Sequence, residues 1–412
     1  MDKHSAIAIG VTAGLGVGYL LGKAYPNALR VEKDDTKLKK SAKDLDEVER
    51  LIRPNILALT PYRCARDDYD QGTSRISTGI LLDANENSLG PPLSGHEQLQ
   101  KMQLERYPCP YQLELKKAIT DYRNQNATEK ISQANTFLGV GSDEAIDLII
   151  RVACTPRVDN ILITPPTYGL PLPSFHINPQ EILNAVTAST KVIFLCSPGN
   201  PTANVLRCRD IETILESEKY KGFVVADEAY IDFADTSSLC TLVNKHKRLI
   251  VLQTLSKGFG LAGIRLGIAF GDPKLIQVLN NVKAPYNISK LTSDVARKAF
   301  SNLEELHKSV ALIKESCEVS NVRPRQLQEK HRVIAELQKL SFVRRIYASD
   351  SNFVLFEIPQ ALAVYREMAS RGVVIRYRGN QHLLTGCVRA TIGSRSENDR
   401  MLELLVEVSG DQ

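Results

Sequence analysis

In the run "TLSKGFGLAGIRLG" (254–267), Lys257 stands between a serine and a glycine, and Arg265 follows eight positions later. An ammonium in so apolar a setting is costly unless it is paired or uncharged. The run is therefore either a surface turn after a strand or a site that uses an amine. Other residues able to do chemistry also follow apolar runs. Tyr168 ends "NILITPPTY", Asn200 lies in "KVIFLCSPGNPT", Asp227 and Tyr230 lie in "GFVVADEAY", and Thr254, Ser256 and Lys257 close "RLIVLQTLSK". Asp227, directly after "FVVA", would be a desolvated carboxylate, which calls for a facing cation; taken alone, Asp-Glu after a strand is a turn. In "LGVGSDEAIDLIIRVAC" (138–154) a Gly-x-Gly turn precedes Ser142 and Asp143, and an apolar helical period follows. The N–H groups and positive dipole end of such a helix suit a phosphate, although an ordinary serine-capped helix reads the same way. Arg265 could add a forked, permanently charged partner, or be a surface ion-pair residue.

The apolar runs, with "RLGIAFGDP" among them, are β-branched, bounded by Gly, Pro or Asp, and separated by helical stretches. That alternation predicts an α/β domain with a parallel sheet covered by helices. In such a sheet ligands bind beyond the carboxyl ends of the strands, where these polar residues stand. The chain has 412 residues, 43% of them hydrophobic, enough for two domains. Its net charge of +5 arises from 52 basic and 47 acidic residues without a long single-sign block, which argues for a small-molecule partner over nucleic acid. Eight cysteines (64, 109, 154, 196, 208, 240, 317 and 387) form no C-x-x-C pair and read as reduced thiols of an intracellular protein, without a zinc site or disulfide framework.

A lysine for a Schiff base, a carboxylate for a pyridinium nitrogen and an anion site for a phosphate are together the requirements of pyridoxal 5'-phosphate. "SPGNPT", "DEAY" and "TLSKGFGLAGIRLG", in that order, resemble the fold type I pyridoxal phosphate aminotransferases. With "LTPYRCARDD", "LLDANENSLG", "RYPCP", "VKAPYNIS", "VVIRYRGN" and "GCVRATIG", residues 50 to 408 resemble the histidinol-phosphate aminotransferase family of histidine biosynthesis. The resemblance implies a fold type I architecture: a mostly parallel central sheet with helices on both faces, plus a smaller α+β domain. Residues 81–284 would form the large cofactor domain, and 51–80 with 285–412 the small one. The activity implied is amino transfer between histidinol phosphate and 2-oxoglutarate, in a cytoplasmic homodimer.

By the same resemblance, Lys257 would bind the cofactor covalently and then, as a neutral amine, shuttle a proton. Asp227 would face the ring nitrogen, Tyr230 and Asn200 the ring oxygen, and Tyr168 the ring face. Ser142, Asp143, Thr254, Ser256 and Arg265 would seat the phosphate, with Tyr107 reaching it from the other subunit. Arg376 and Arg389 would hold the substrate anion with Tyr62 and Tyr286, Arg378 being close enough in sequence to exchange roles with Arg376.

Three segments depart from that pattern. "AIAIGVTAGLGVGYLLG" (6–22) is uncharged, with glycines at every fourth position, the spacing of close-packing membrane helices; residues 30–50 read as a charged linker. After Gly169 the chain lacks a helix and strand that the family has, which is expected to truncate a sheet edge and open the wall near Tyr168. Asn321 and Pro324 interrupt what reads as one long helix between Ser309 and Leu340. These departures keep two alternatives in view: a noncatalytic or impaired isoform, or a related decarboxylase acting on a phosphorylated amino acid.

Overall fold

Two sheets organise the protein, whose computed structural model describes residues 45–60, 102–164, 176–314 and 329–410. The larger comprises β1 (Thr136–Val140), β2 (Asn160–Ile163), β3 (Thr190–Cys196), β4 (Phe223–Asp227), β5 (Leu249–Thr254) and β6 (Leu266–Phe270), in the order β1-β6-β5-β4-β3-β2. Strands β2 to β5 run parallel, while β6 is antiparallel to both β5 and β1. The parallel core matches the expectation; the reversed β6 was not legible, because a strand buried on both faces looks the same in either direction.

Alternate residues of each strand face opposite layers. Val224, Ala226, Ile193 and Leu195 pack with Leu115 and Ile119 of the helix Leu113–Arg123 and with Ile211 and Ile214 of Cys208–Glu216. Phe223, Val225, Ile250 and Leu252 pack on the other side with Ala145, Leu148 and Ile149 of Gly141–Ala153 and Leu275 and Leu279 of Pro273–Val282. Phe223, Val224, Val225 and Ala226 are fully buried. Each such large apolar side chain contributes about 1.5–3 kcal/mol by leaving water, so the strand ends are held by a dense two-sided core.

At the other border, β2 presents Asn160, Ile161 and Ile163 to solvent. The crossover helix to β3 forms from Pro179 to Ala185, capped by Asn178, whose side chain accepts from Gln180 N. It ends at Ala185, because Val186 is extended. The smaller sheet is antiparallel throughout: β7 (Arg345–Ile346), β8 (Phe353–Glu357), β9 (Arg376–Tyr377) and β10 (Cys387–Thr391), in the order β7-β8-β10-β9. Val333, Leu337, Val364, Met368, Leu404 and Leu405 cover it from three helices. Both sheets belong to one compact unit that begins at Asp46. Backbone and side chain of Asp350 tie them, Asp350 N donating to Ala203 O at 2.7 Å and Val205 N to Asp350 Oδ2 at 2.8 Å.

The apolar stretch 6–22, Tyr62, Tyr168 and the run around Pro324 lie outside the described residues; helices Leu303–Lys314 and Glu329–Lys339 flank the last of these. Among the described residues no helix is long and apolar enough to cross a membrane. Cys109, Cys154, Cys196, Cys208, Cys240 and Cys387 are free thiols.

One close approach sets the sheet's geometry beside the strand ends. Gly267 of β6 pairs with Gly139 of β1. A Cβ at Gly267 would collide with the carbonyl of Gly141 and the nitrogen of Ser142, backbone atoms that cannot swing aside. Gly267→Ala is therefore expected to destabilise the protein by about 2–3 kcal/mol. Gly263→Ala, where the added atom meets open space, should change little, and denaturant unfolding of the two variants checks the contrast.

Candidate active site

Strands β3, β4 and β5 end side by side, Cys196 pairing with Asp227 and Asp227 with Leu252. The residues beyond those ends enclose a pocket of about 380 Å³. It gathers Asn200, Asp227, Tyr230 and Lys257 with Ser142, Asp143, Thr254, Ser256 and Arg265, residues that lie up to 123 positions apart in the chain.

Asp227 is the last residue of β4 and accepts a hydrogen bond from Ala229 N at 3.1 Å. Burial pushes its carboxyl pKa up, the Ala229 N–H opposes this, and the negative charge of Asp143 adds to the rise. Such a carboxylate favours a cation. Lys257 is exposed at the pocket's mouth, its Nζ 5.6 Å from the centroid of the Tyr230 ring. It rides on a loop fixed by Gly260 N donating to Lys257 O at 3.0 Å and Leu261 N donating to Leu255 O at 2.9 Å. Burial also raises the pKa of Tyr230, although Arg389 works against the shift, so the phenol keeps its proton as a donor.

One end of the pocket is built for an anion. The helix Gly141–Ala153 opens with Gly141 at φ +73°, and its first turn presents Ser142 and Asp143. Arg265, itself left-handed at φ 54°, places Nη2 3.4 Å from Asp143 Oδ2. Thr254 Oγ1 accepts from Ser256 N at 3.1 Å and donates to Leu266 O at 3.1 Å. At the other end Arg389 Nη1 donates to Asn200 Oδ1 at 2.5 Å and Arg378 Nη2 to the same oxygen at 3.3 Å, while Asn200 Nδ2 lies 3.5 Å from the Tyr230 hydroxyl. The Arg389 guanidinium lies 4.9 Å from the Phe353 ring centroid, and that ring meets Tyr230 edge-on at 5.2 Å. Arg376 is exposed on β9, directly opposite Arg389 in the ladder.

Tyr107 and Tyr286 are placed elsewhere. They stack at 4.7 Å and line a separate cleft of about 270 Å³.

Behind the pocket is a polar network that sequence reasoning missed. Glu228 is 2% exposed and accepts from Leu239 N at 2.8 Å, Ser238 Oγ at 2.5 Å and Gln253 Nε2 at 2.9 Å. Gln253 Oε1 accepts from Arg123 Nε at 2.7 Å, and Arg123 Nη2 pairs with Asp232 at 2.8 Å. Burial opposes the Arg123 charge, and the Asp232 carboxylate, together with Tyr122, Cys240 and Glu228, more than restores it. Asp232 in turn packs against Gly258, next to Lys257: a Cβ at Gly258 would stand 2.6 Å from Asp232 Cβ. One signal was available, since successive strand residues point to opposite faces and an Asp-Glu pair at a strand end must send one carboxylate inward. The Arg123–Asp232 pair, 109 residues apart, left none.

The profile of the family "Aminotransferase class I and II" matches residues 77–171 and 170–405 of the chain. The histidinol-phosphate aminotransferase of Candida maltosa is 42% identical over 404 residues, covering 89% of this chain and 99% of that protein. Its counterpart from Saccharomyces cerevisiae is 40% identical over 400 residues, covering 88% and 97%. The crystal structure of histidinol-phosphate aminotransferase from Sinorhizobium meliloti in complex with pyridoxal-5'-phosphate superposes with a TM-score of 0.63 at 21% identity, covering 80% of this chain and 90% of that one; at that identity it shows the fold.

The raised pKa of Asp227 has a pH signature. An unfolded aspartate ionises near ~3.9, so its folded-state penalty is absent below that pH and complete above the raised folded value. Asp227→Asn is expected to stabilise the ligand-free protein, with a gain that grows as pH rises from 4 to 8. Thermal melts across that range check it, and a pH-independent difference would contradict it.

Proposed function

Because the chain belongs to the class I and II aminotransferase family, we propose that its pocket transfers an amino group between histidinol phosphate and 2-oxoglutarate, in histidine biosynthesis, with pyridoxal 5'-phosphate as cofactor. The observation that carries this reading is the convergence of Lys257, Asp227 and the Gly141–Ala153 helix N-terminus on one pocket at the ends of the parallel strands. The residues fit the cofactor: a desolvated carboxylate suits a pyridinium nitrogen, a primary amine opens into the same space, and the first turn of the Gly141–Ala153 helix points its N-terminus at the place for a phosphate. When bound, the cofactor supplies an electron sink that acidifies the substrate carbon bearing the amino nitrogen.

The chain's own groups do the rest. Lys257 Nζ moves the proton at that carbon, from the loop that Asp232 buttresses. Asp227 holds positive charge at the pocket floor, and Tyr230 and Asn200 offer O–H and N–H donors above it. Ser142, Thr254, Ser256 and Arg265 hold the phosphate end. Arg389 with Arg376 orients the substrate's phosphate or the partner's carboxylate, both anions that a forked guanidinium can accept. We read 81–284 as the cofactor domain and 51–80 with 285–412 as the small domain, in a cytoplasmic enzyme. A homodimer completes the site: Tyr107 is 50%, Tyr111 44%, Leu113 51% and Leu291 46% exposed. This apolar face suits a second copy, whose Tyr107 would reach across to the phosphate.

The test is to supply histidinol phosphate and 2-oxoglutarate to the purified holoenzyme and measure glutamate. Stoichiometric glutamate without carbon dioxide supports the reading, and carbon dioxide release would mark a decarboxylase. Arg389→Ala should weaken histidinol phosphate and glutamate alike, by about 1.5–3 kcal/mol each. An unchanged Michaelis constant for either would remove Arg389 from the site.

A second reading, a shortened and impaired form, has its own observation: the family profile matches in two stretches that meet at 170–171, where a helix and strand were expected to be missing. The solvent-exposed β2 is consistent with it. Inserting a helix-plus-strand segment of about 15–20 residues after Gly169 should then raise both melting temperature and cofactor affinity. No gain in either would mean the short form is a complete fold.

A further inference from the structure

Two cations share one neutral acceptor at the substrate end of the pocket. Arg378 Nη2 and Arg389 Nη1 both donate to Asn200 Oδ1, at 3.3 and 2.5 Å. The Nε atoms of both guanidiniums are buried without a hydrogen-bond partner. Burial, then the charges of Arg389 and Arg376, lower the pKa of Arg378; burial and Arg376 lower that of Arg389, opposed by Tyr230. One amide oxygen has two lone pairs and no charge, so it cannot neutralise two guanidiniums that carry five donors each. The arrangement is matched only by an anion with more than one face to offer.

Arg376 of β9 is opposite Arg389 of β10, and Arg378 follows β9 directly, its backbone N donating to Cys387 O at 2.9 Å and its guanidinium meeting that of Arg389 at the Asn200 oxygen. A carboxylate has two oxygens in one plane and a charge of −1, so one guanidinium already balances its charge, although lone pairs remain. A phosphate monoester has three terminal oxygens in three directions and a charge near −2 at neutral pH. Its second charge is what a second guanidinium balances.

We propose that Arg378 is the specificity-determining residue for the phosphate monoester: it holds, with Arg389, the substrate that carries a phosphate, and contributes little to the dicarboxylate partner. The incoming phosphate takes both guanidiniums from Asn200, freeing its carbonyl. The assignment rests on the aminotransferase reading and adds a third cation to the arginine pair expected from the family resemblance.

The experiment compares wild-type, Arg378→Gln and Arg378→Lys holoenzymes for equilibrium binding of histidinol phosphate, histidinol and glutarate, and for the Michaelis constants of both substrates. In Arg378→Gln, histidinol phosphate should weaken about tenfold or more while glutarate changes less than about twofold. Arg378→Lys, which keeps the charge and loses the fork, should fall between. Retained glutarate binding shows that the variant site is intact. In the wild type, labelling of Arg378 by phenylglyoxal should be blocked by histidinol phosphate and not by glutarate, a measurement that requires no variant. Equal losses for the two anions, no loss for the phosphate ester, or labelling of Arg378 indifferent to histidinol phosphate would each overturn the proposal. A wild type that does not prefer histidinol phosphate to histidinol would instead defeat the substrate reading itself, and this assignment with it.

Discussion

A carboxylate at the end of β4, deprived of water and pressed by the negative charge of Asp143, is the constraint around which the pocket is arranged. Alone it is a liability, because burial disfavours its ionised form. Its position is imposed by Phe223, Val224, Val225 and Ala226, four fully buried residues that no local movement can dislodge. The strand therefore presents a fixed site for positive charge, and the neighbouring strand ends supply what a cationic ring with a phosphate needs: an amine on the loop after β5 and a helix N-terminus after β1. Stability is given up at Asp227, and the packed core on both faces of the sheet offsets it.

Precision comes from contacts at the pocket's edge and behind it. Gly141 and Gly267 bring two backbones so close that the first turn of Gly141–Ala153 lies directly over the sheet end. Behind the lysine loop, Asp232, Arg123, Gln253 and Glu228 form a buried network in which each charge has a partner. Removing one member of a buried pair costs about 3–5 kcal/mol because the other is left stranded. The network thus locks the segment carrying Lys257 to the strand carrying Asp227, converting fold stability into placement of the two groups proposed to act on the amino nitrogen and the ring.

The parallel core, the strand-end pocket and most of its occupants were legible because apolar runs punctuated by Gly, Pro and Asp declare strands, and polar residues just beyond them declare what those strands present. Asp227 was readable because a carboxylate is a chemically costly choice at the end of a buried strand, and Lys257 because it follows an apolar run, although the structure leaves its side chain exposed and not in the costly apolar setting the sequence suggested. The reversed direction of β6 was not, since burial on both faces erases the alternation that marks a strand's surroundings. Nor were Arg123 and Asp232, whose pairing is a property of the fold and not of any window of sequence. Arg378 and Arg376 illustrate the middle case: both were candidates from one motif, and contact with Asn200 singles out Arg378.

The central claim is that Lys257 is the amine of this pocket, and borohydride reduction of the protein saturated with pyridoxal 5'-phosphate tests it most directly. Peptide mapping should find the reduced cofactor on Lys257 in the Thr254–Arg265 segment, with Lys257→Ala giving no labelled peptide. A label on any other lysine, or none in the wild type under saturating cofactor, would contradict the account.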